Sequence, residues 1–428
     1  MTSQKVKAGA LQLTLFITVA IALLLAAFVI LVHTHKQFNI KTDFVLETIE
    51  NANKGISYML QNDIRQNDTL QIGQQDEGYK TLKVHRGYWG LFEKVTAVST
   101  IKTHTFTKTA LIGARQPQMD RTALYVEDQN RPLVVVGNTK IQGLAYIPKQ
   151  GVRTGNISGH SYYGSQLIYG STRTSTKFPE IQKATLEQIK TIQDNIDQIS
   201  PDQFLDLGKT KKHQNSFLSP FQVIYSNRDI TLSEVSLTGH ILVQSKTKIT
   251  IEAPSNLKDV VLVAPTIDIK NNTKGSFQAI ATEAITIGEH CTLHYPSAFV
   301  LNEAEANKNP TGQMESTGQA KETPSIKIGK GSTIKGAIVY LGTSKNHKAQ
   351  VSIDEQATVT GEIYCNRNLE LLGTVHGSVY TSNFVANQSG SSYQNHLYNG
   401  SISIEALPEE YVGLTFEDPK KGVLKWLY

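Results

Sequence analysis

Val359-Thr360-Gly361-Glu362-Ile363 and, a few residues later, Val375-His376-Gly377-Ser378-Val379 repeat one phrase: apolar, any residue, glycine, any residue, apolar. The form occurs again at Ile141-Gln142-Gly143-Leu144-Ala145, Leu237-Thr238-Gly239-His240-Ile241 and Ile334-Lys335-Gly336-Ala337-Ile338. Between them lie other short alternating runs, among them DITLS, TKITIEA, DVVLVAPTIDIK, AITIGEH, SIKIG and VSIDE. Period-two alternation turns one face of a short strand inward, and its recurrence predicts stacked passes that pair at ~4.8 Å. No single pass buries its apolar face alone, so several must form together. Glycine suits the corners, where a Cβ would clash or φ must be positive. The spacing is irregular, which disfavours a strict six-residue repeat and predicts a right-handed parallel β-helix with loops of varied length. A β-sandwich is the other packing such strands allow.

Upstream of this body the texture differs. The run Ala8–Val32, AGALQLTLFITVAIALLLAAFVILV, carries no charge, and its side chains of any polar weight are Gln12, Thr14 and Thr18. At ~1.5 Å per residue such a helix crosses a hydrocarbon core of ~30 Å. Leu11, Leu15, Leu23, Leu24, Leu25 and Phe28 are its expected lipid-facing anchors. A cleaved secretory signal has a shorter apolar core and a small-residue cleavage site. This run instead ends in His33-Thr34-His35-Lys36. Lys5 and Lys7 before it nearly balance Lys36 and Lys41 after it, so the positive-inside rule barely discriminates. The shortness of the N-terminal segment favours that end in the cytoplasm and the body outside.

The helix is expected to continue over 37–63, because Phe38, Val45, Ile49, Ala52, Ile56 and Met59 recur at helical spacing. Thr- and Val-rich alternation over 64–116 then predicts a short antiparallel sheet. The patch Tyr88-Trp89-Gly90-Leu91-Phe92 reads as a core plug. The KAG leader, the apolar run ALQLTLFITVAIALLLAAFVIL and the amphipathic extension resemble the N-terminus of type IV pilins and type II secretion pseudopilins. That resemblance implies a leader cut after Gly9, leaving Ala10 as the first residue, and a helix that runs from the membrane into a globular sheet. Most members carry Glu at the fifth mature position, where this chain has Thr14. Ile326 to Val379 resembles bactofilins and related polymer-forming β-helix domains, which share the I-x-G-x-I phrase.

The expected organisation is therefore a cytoplasmic leader over 1–7, a transmembrane helix over 8–32, and a helix extension with a small sheet over 33–116. A β-helix over 117–400 follows, interrupted by a helix over 179–200 and a mobile loop over 303–325, and 401–428 forms a C-terminal cap. In the first insertion Leu186, Ile189, Ile192, Ile196 and Ile199 form one apolar stripe, with Pro179 at the start. Phe416, Leu424, Trp426, Leu427 and Tyr428 are expected to tuck down, over an open end of the β-helix or onto the N-terminal sheet.

Signals of chemistry are sparse. The 428 residues carry a net charge of +5 spread along the chain, without the basic and aromatic clusters a nucleic-acid groove needs. The two cysteines, Cys291 and Cys365, stand outside any CxxC pair. No GxSxG, HExxH, Walker A or EF-hand motif occurs. His33, His35, His104, His160, His240 and His294 lack a second ligand at metal spacing. Asp259 with Asp268, and Glu409 with Glu410, read as ordinary solvated carboxylates. No catalytic residue, metal or cofactor is expected. The run Ser158-Gly159-His160-Ser161-Tyr162-Tyr163-Gly164 is the one candidate glycan surface. The expectation is a non-enzymatic, single-pass inner-membrane protein whose body lies in the periplasm or on the cell surface. Its partners are the membrane and copies of itself or other envelope-assembly subunits. Two alternatives stand beside it: a membrane-tethered protein that binds or cleaves polysaccharide, and a bactofilin-like polymerising scaffold.

Overall fold

The computed structural model describes residues 8–62, 65, 67–73, 78–116, 121–192, 199–208, 210–303, 323–343, 346–417 and 420–428. The expected leader 1–7, residues 193–198 of the expected insertion helix, Ile196 among them, and nearly all of the loop expected over 303–325 lie outside these residues. The protein is mainly β, with a long N-terminal apolar helix and extensive parallel pairing. It divides into two units. One holds the residues up to Ser57 with 70–84 and 97–108; the other holds 58–69, 85–96 and 109–428. The strands Thr69–Ile72, Lys80–Trp89, Phe92–Ile101, His104–Ala114 and Lys421–Leu427 hydrogen-bond in that order. Two-residue links at 90–91 and 102–103 make the strands they join antiparallel.

In the first unit, helix α1 begins at Ala8 and runs without a break; its span is Ala8–Gln61. Leu11, Leu15, Leu23, Leu24, Leu25 and Phe28 all stand exposed, Leu11 at 75%. The hydroxyls that interrupt this surface are satisfied inside the helix, Thr14 donating to Leu11 O at 2.9 Å and Thr18 to Leu15 O at 2.8 Å. Such internal bonding removes the cost of placing them in hydrocarbon. Among the described residues this is the one helix long and apolar enough to cross a membrane, with a mean hydropathy of 3.2 over its most apolar window. Burial starts further along, at Thr48, Asn51, Ala52 and Ile56. Gly55 permits close helix–strand approach, since a Cβ there would lie 2.9 Å from Ala97 Cβ and 3.0 Å from Val84 Cγ1. The expected stripe is thus only partly buried: Phe38 and Val45 are 65% and 41% exposed. Around Phe44, which lies half-buried, Lys102 sets its ammonium 4.2 Å from the ring centre.

The second unit is dominated by parallel strands in register. One apolar column runs Ile230, Ile249, Ile267, Ile285, Ile326, Val351, Leu369 through successive pairings. Another runs Val243, Leu262, Ala279, Phe299, Ile338, Ile363, Val379 and ends on Leu124 and Ala145. A third passes from Leu237 through Leu257, Gly275 and Leu293 to Ile334, Val359 and Val375. At Gly275 the missing side chain is replaced by the Phe277 ring, whose Cδ1 lies 3.0 Å from where a Cβ would be. The columns meet in one buried core. The glycines of the repeated phrase stack as well: Gly336 pairs with Gly361, and Gly361 with Gly377.

The stack does not follow chain order throughout. Strand Thr374–Gln388 pairs with Thr122–Val126, and Ser401–Ser403 pairs with Lys140–Gln142. Thr122–Val126 and Lys140–Gln142 therefore pair with strands from the end of the unit, and the main run of parallel pairing in chain order begins at Lys212–Asn215.

A second apolar layer covers the outer face of the strands carrying Val223, Leu242, Val261, Ala298 and Val339. It receives Trp89, Leu91 and Phe92 from the hairpin, Ile181 and Ile189 from the insertion, and Leu424 and Leu427 from the C-terminal strand. Helix α2 spans Lys183–Thr191, so it starts four residues after the expected start at 179, and 193–198 lie outside the described residues. Its approach is extended because Ile181 forms a bridge with Phe416 and Pro179 O accepts from the Tyr364 hydroxyl at 3.0 Å. At the C-terminus the expectation of buried aromatics is corrected in part. The strand that joins the sheet beside His104–Ala114 shifts register between Val423 and Lys425, so Leu424 and Leu427 are both buried while Trp426 is 37% and Tyr428 84% exposed. The segment before this strand is clasped: Arg121 donates to Pro408 O and Glu409 O at 2.7 Å, Tyr295 to Val412 O at 2.7 Å, and Leu414 N–H donates to Glu362 Oε2 at 2.5 Å.

Candidate functional site

The hairpin tip at Gly90 and the outer face of the parallel strands enclose a pocket of about 290 Å³ in the second unit. Local geometry fixes its hairpin side. Gly90 takes φ +63°, and a Cβ there would meet the Gln278 amide at 2.3 Å. Gln278 Nε2 donates to Trp89 O at 2.9 Å while its Oε1 accepts from Leu91 N–H at 2.8 Å. The Trp89 indole donates to Asp259 O at 2.8 Å. Its ring meets Phe217 edge-on at 5.6 Å and His240 at 4.6 Å.

His240 and Lys94 are the pocket's chemistry. The His240 imidazole is buried among Trp89, Phe217 and Phe221. Its Nδ1 lies 3.0 Å from Ser219 O, an acceptor only, so Nδ1 carries the proton and donates. Nε2 then presents a lone pair to the Lys94 ammonium at 3.1 Å. Burial, with the lysine charge adding to it, pushes the imidazole down to about 4, so the ring is neutral at physiological pH. Burial also lowers the Lys94 pKa below its usual value. Strand alternation separates this lysine from its neighbour: Glu93 turns the other way, into a buried ion group with Arg86 at 2.8 Å and Lys421 at 3.2 Å. The remaining lining includes Phe221, Leu242, Val261 and Ile192, and none of the described lining residues is a carboxylate.

The sequence places Trp89 in the core, but nothing in it joins that residue to Lys94 and His240, which are 146 positions apart. The signal available was a lysine in the alternating run FEKVTAV.

Gly9 and Ala10 lie in the first turns of α1, where a Cβ at Gly9 would meet nothing within 4 Å. Of the glycan-surface run, Tyr163 is 63% exposed, whereas the Tyr162 hydroxyl is engaged by Gln166 O. A separate polar cleft of about 540 Å³ includes Asn368, Asn383 and Gln394, whose amides bond to one another in sequence at 3.1 and 3.0 Å. Asp268 is engaged by Lys270 at 2.7 Å and Lys248 at 3.1 Å, and Asp259 by Lys425. Cys291 and Cys365 are both free and buried. Among the described residues no cluster of three His, Cys, Asp or Glu side chains could hold a metal.

Fold and site together define a mainly β protein with one N-terminal helix able to anchor it in a membrane. No family model and no curated protein matches the chain. Among solved structures, the competence-associated pilin ComZ from Thermus thermophilus is similar over 85% of this chain and 88% of its own, with 9% identity and a TM-score of 0.19. A likeness of that score carries no argument.

Proposed function

We propose that this is a membrane-anchored extracytoplasmic structural protein, a pilin-like component of a surface filament, secretion or adhesion assembly. The observation that carries the reading is the unbroken helix Ala8–Gln61, apolar and exposed in its first half and buried against strands from Thr48 on. An apolar half of this kind serves as a lipid anchor and, once drawn from lipid, must be covered by equivalent helices of neighbouring subunits. On this reading the displayed body is a right-handed parallel β-helix. Register-aligned apolar columns support the stacked passes, and the general preference for right-handed crossovers between parallel strands favours that hand. The N-terminus is cytoplasmic, the anchor lies in the inner membrane, and the role is assembly rather than catalysis.

The test is the intact mass of protein extracted from native membranes. A chain starting at Ala10, methylated or not, shows that the leader is removed after Gly9 and supports the pilin-like reading. A chain starting at Met1 or Thr2 overturns it.

A further inference from the structure

We infer that the pocket between the Gly90 hairpin and the outer strand face binds a small monocarboxylate carried on an aromatic or branched apolar body. The argument starts from Lys94. A desolvated ammonium is costly unless an anion accompanies it. Here its hydrogen-bond acceptor is the neutral Nε2 of His240, at 3.1 Å. An ammonium has three donors, and the imidazole engages one of them. The imidazole cannot swing away to release it, because Ser219 O holds Nδ1 and the Trp89 and Phe217 rings pack against the ring. The ammonium is therefore held at the pocket wall with donors directed by a fixed partner.

The rest of the lining sets what accompanies the charge. Trp89, Phe221, Leu242 and Val261 offer flat and branched apolar surface. About 290 Å³ suits a body the size of one ring with a short stem. No arginine lines the pocket among the described residues, so the site supplies one full positive charge from lysine. That matches a carboxylate better than a phosphate dianion, which calls for several converging donors.

The pocket contains its own reporter. The chain has two tryptophans, and a Trp426→Phe background leaves Trp89 as the single emitter. Full-length protein in detergent micelles is titrated with 3-phenylpropionate, with 3-phenylpropanamide as the uncharged twin. A saturable change in Trp89 emission is expected for the acid, with about tenfold weaker binding of the amide. Lys94→Met in the same background should weaken the acid by at least as much and leave the amide unchanged. The absence of a saturable response to the acid overturns the proposal, as does equal binding of acid and amide. Because the acid–amide comparison uses the intact pocket, it decides the matter even if Lys94→Met fails to fold.

Discussion

Glu362 sits fully buried beneath the clasped segment, accepting from Leu414 N–H, and burial pushes its carboxyl up to about 7 despite the opposing pull of that bond and of Arg121. Its ionisation is disfavoured in the folded state alone. The carboxyl therefore costs nothing while both states are protonated, and the cost grows as pH rises from about 4.5 to about 7 and then stays constant. Glu362→Gln keeps the acceptor for Leu414 and removes the charge. Melting curves of variant and parent should coincide below pH 4.5 and diverge above it, the variant gaining about 3 kcal/mol by pH 8. A constant difference across that range would show that ionisation is not the cause. His240 works in the opposite sense: its depressed pKa removes stability as pH falls from about 6.5 towards 4. The two effects offset each other in the parent, so the comparison with the variant is what separates them. At this scale the sequence is uneven in what it discloses. The glycines of the repeated phrase are legible because their demand is local: Gly143, Gly239, Gly336, Gly361 and Gly377 all take positive φ. At Gly361 a Cβ would also lie 1.9 Å from Gly336 O. Lys94 and Glu362 are illegible for the converse reason, since what makes them unusual is supplied by residues distant in the chain.

Among elements, α1 is legible because an uninterrupted apolar run has few alternatives, whereas the point where burial begins, at Thr48, is set by strands that come later in the chain. The start of α2 is misread for a tertiary reason. Its apolar stripe continues in sequence, but Ile181 is drawn into a bridge with Phe416 before the helix starts. The C-terminal strand is held by more than its ladder. Lys421 reaches the same Glu93 carboxylate that Arg86 grips with two nitrogens, at 3.1 and 2.8 Å, and all of these side chains are under 10% exposed. Removing the shared anion takes from two buried cations the carboxylate that both of them contact. Glu93→Ala should therefore destabilise the protein by about 3–5 kcal/mol, read from chemical denaturation. A cost below about 1 kcal/mol would mean that water reaches the site and the group is in effect a surface ion pair.

For the whole molecule, the parallel pairing is legible and its closure is not. The phrase at Ile141 resembles those at Val359 and Val375, yet nothing in it discloses that Thr122–Val126 and Lys140–Gln142 stack beside the last passes. A chain ending at Gly373 lacks those partners and leaves the edges carrying Leu124, Ile141 and Ile363 open. Open apolar edges recruit other chains. Size-exclusion chromatography in detergent should show the shortened chain as large aggregates, and a profile like that of the parent would count against closure as a requirement for the stack. The same closure gives synthesis a schedule. Residues 122–126 leave the ribosome roughly 250 residues ahead of Val379, Tyr380 and Thr381, the partners on their far edge. At about 5–20 residues per second that edge waits of the order of ten seconds or more. The interval spans most of translation, and it is the window in which a chaperone has the most to shield.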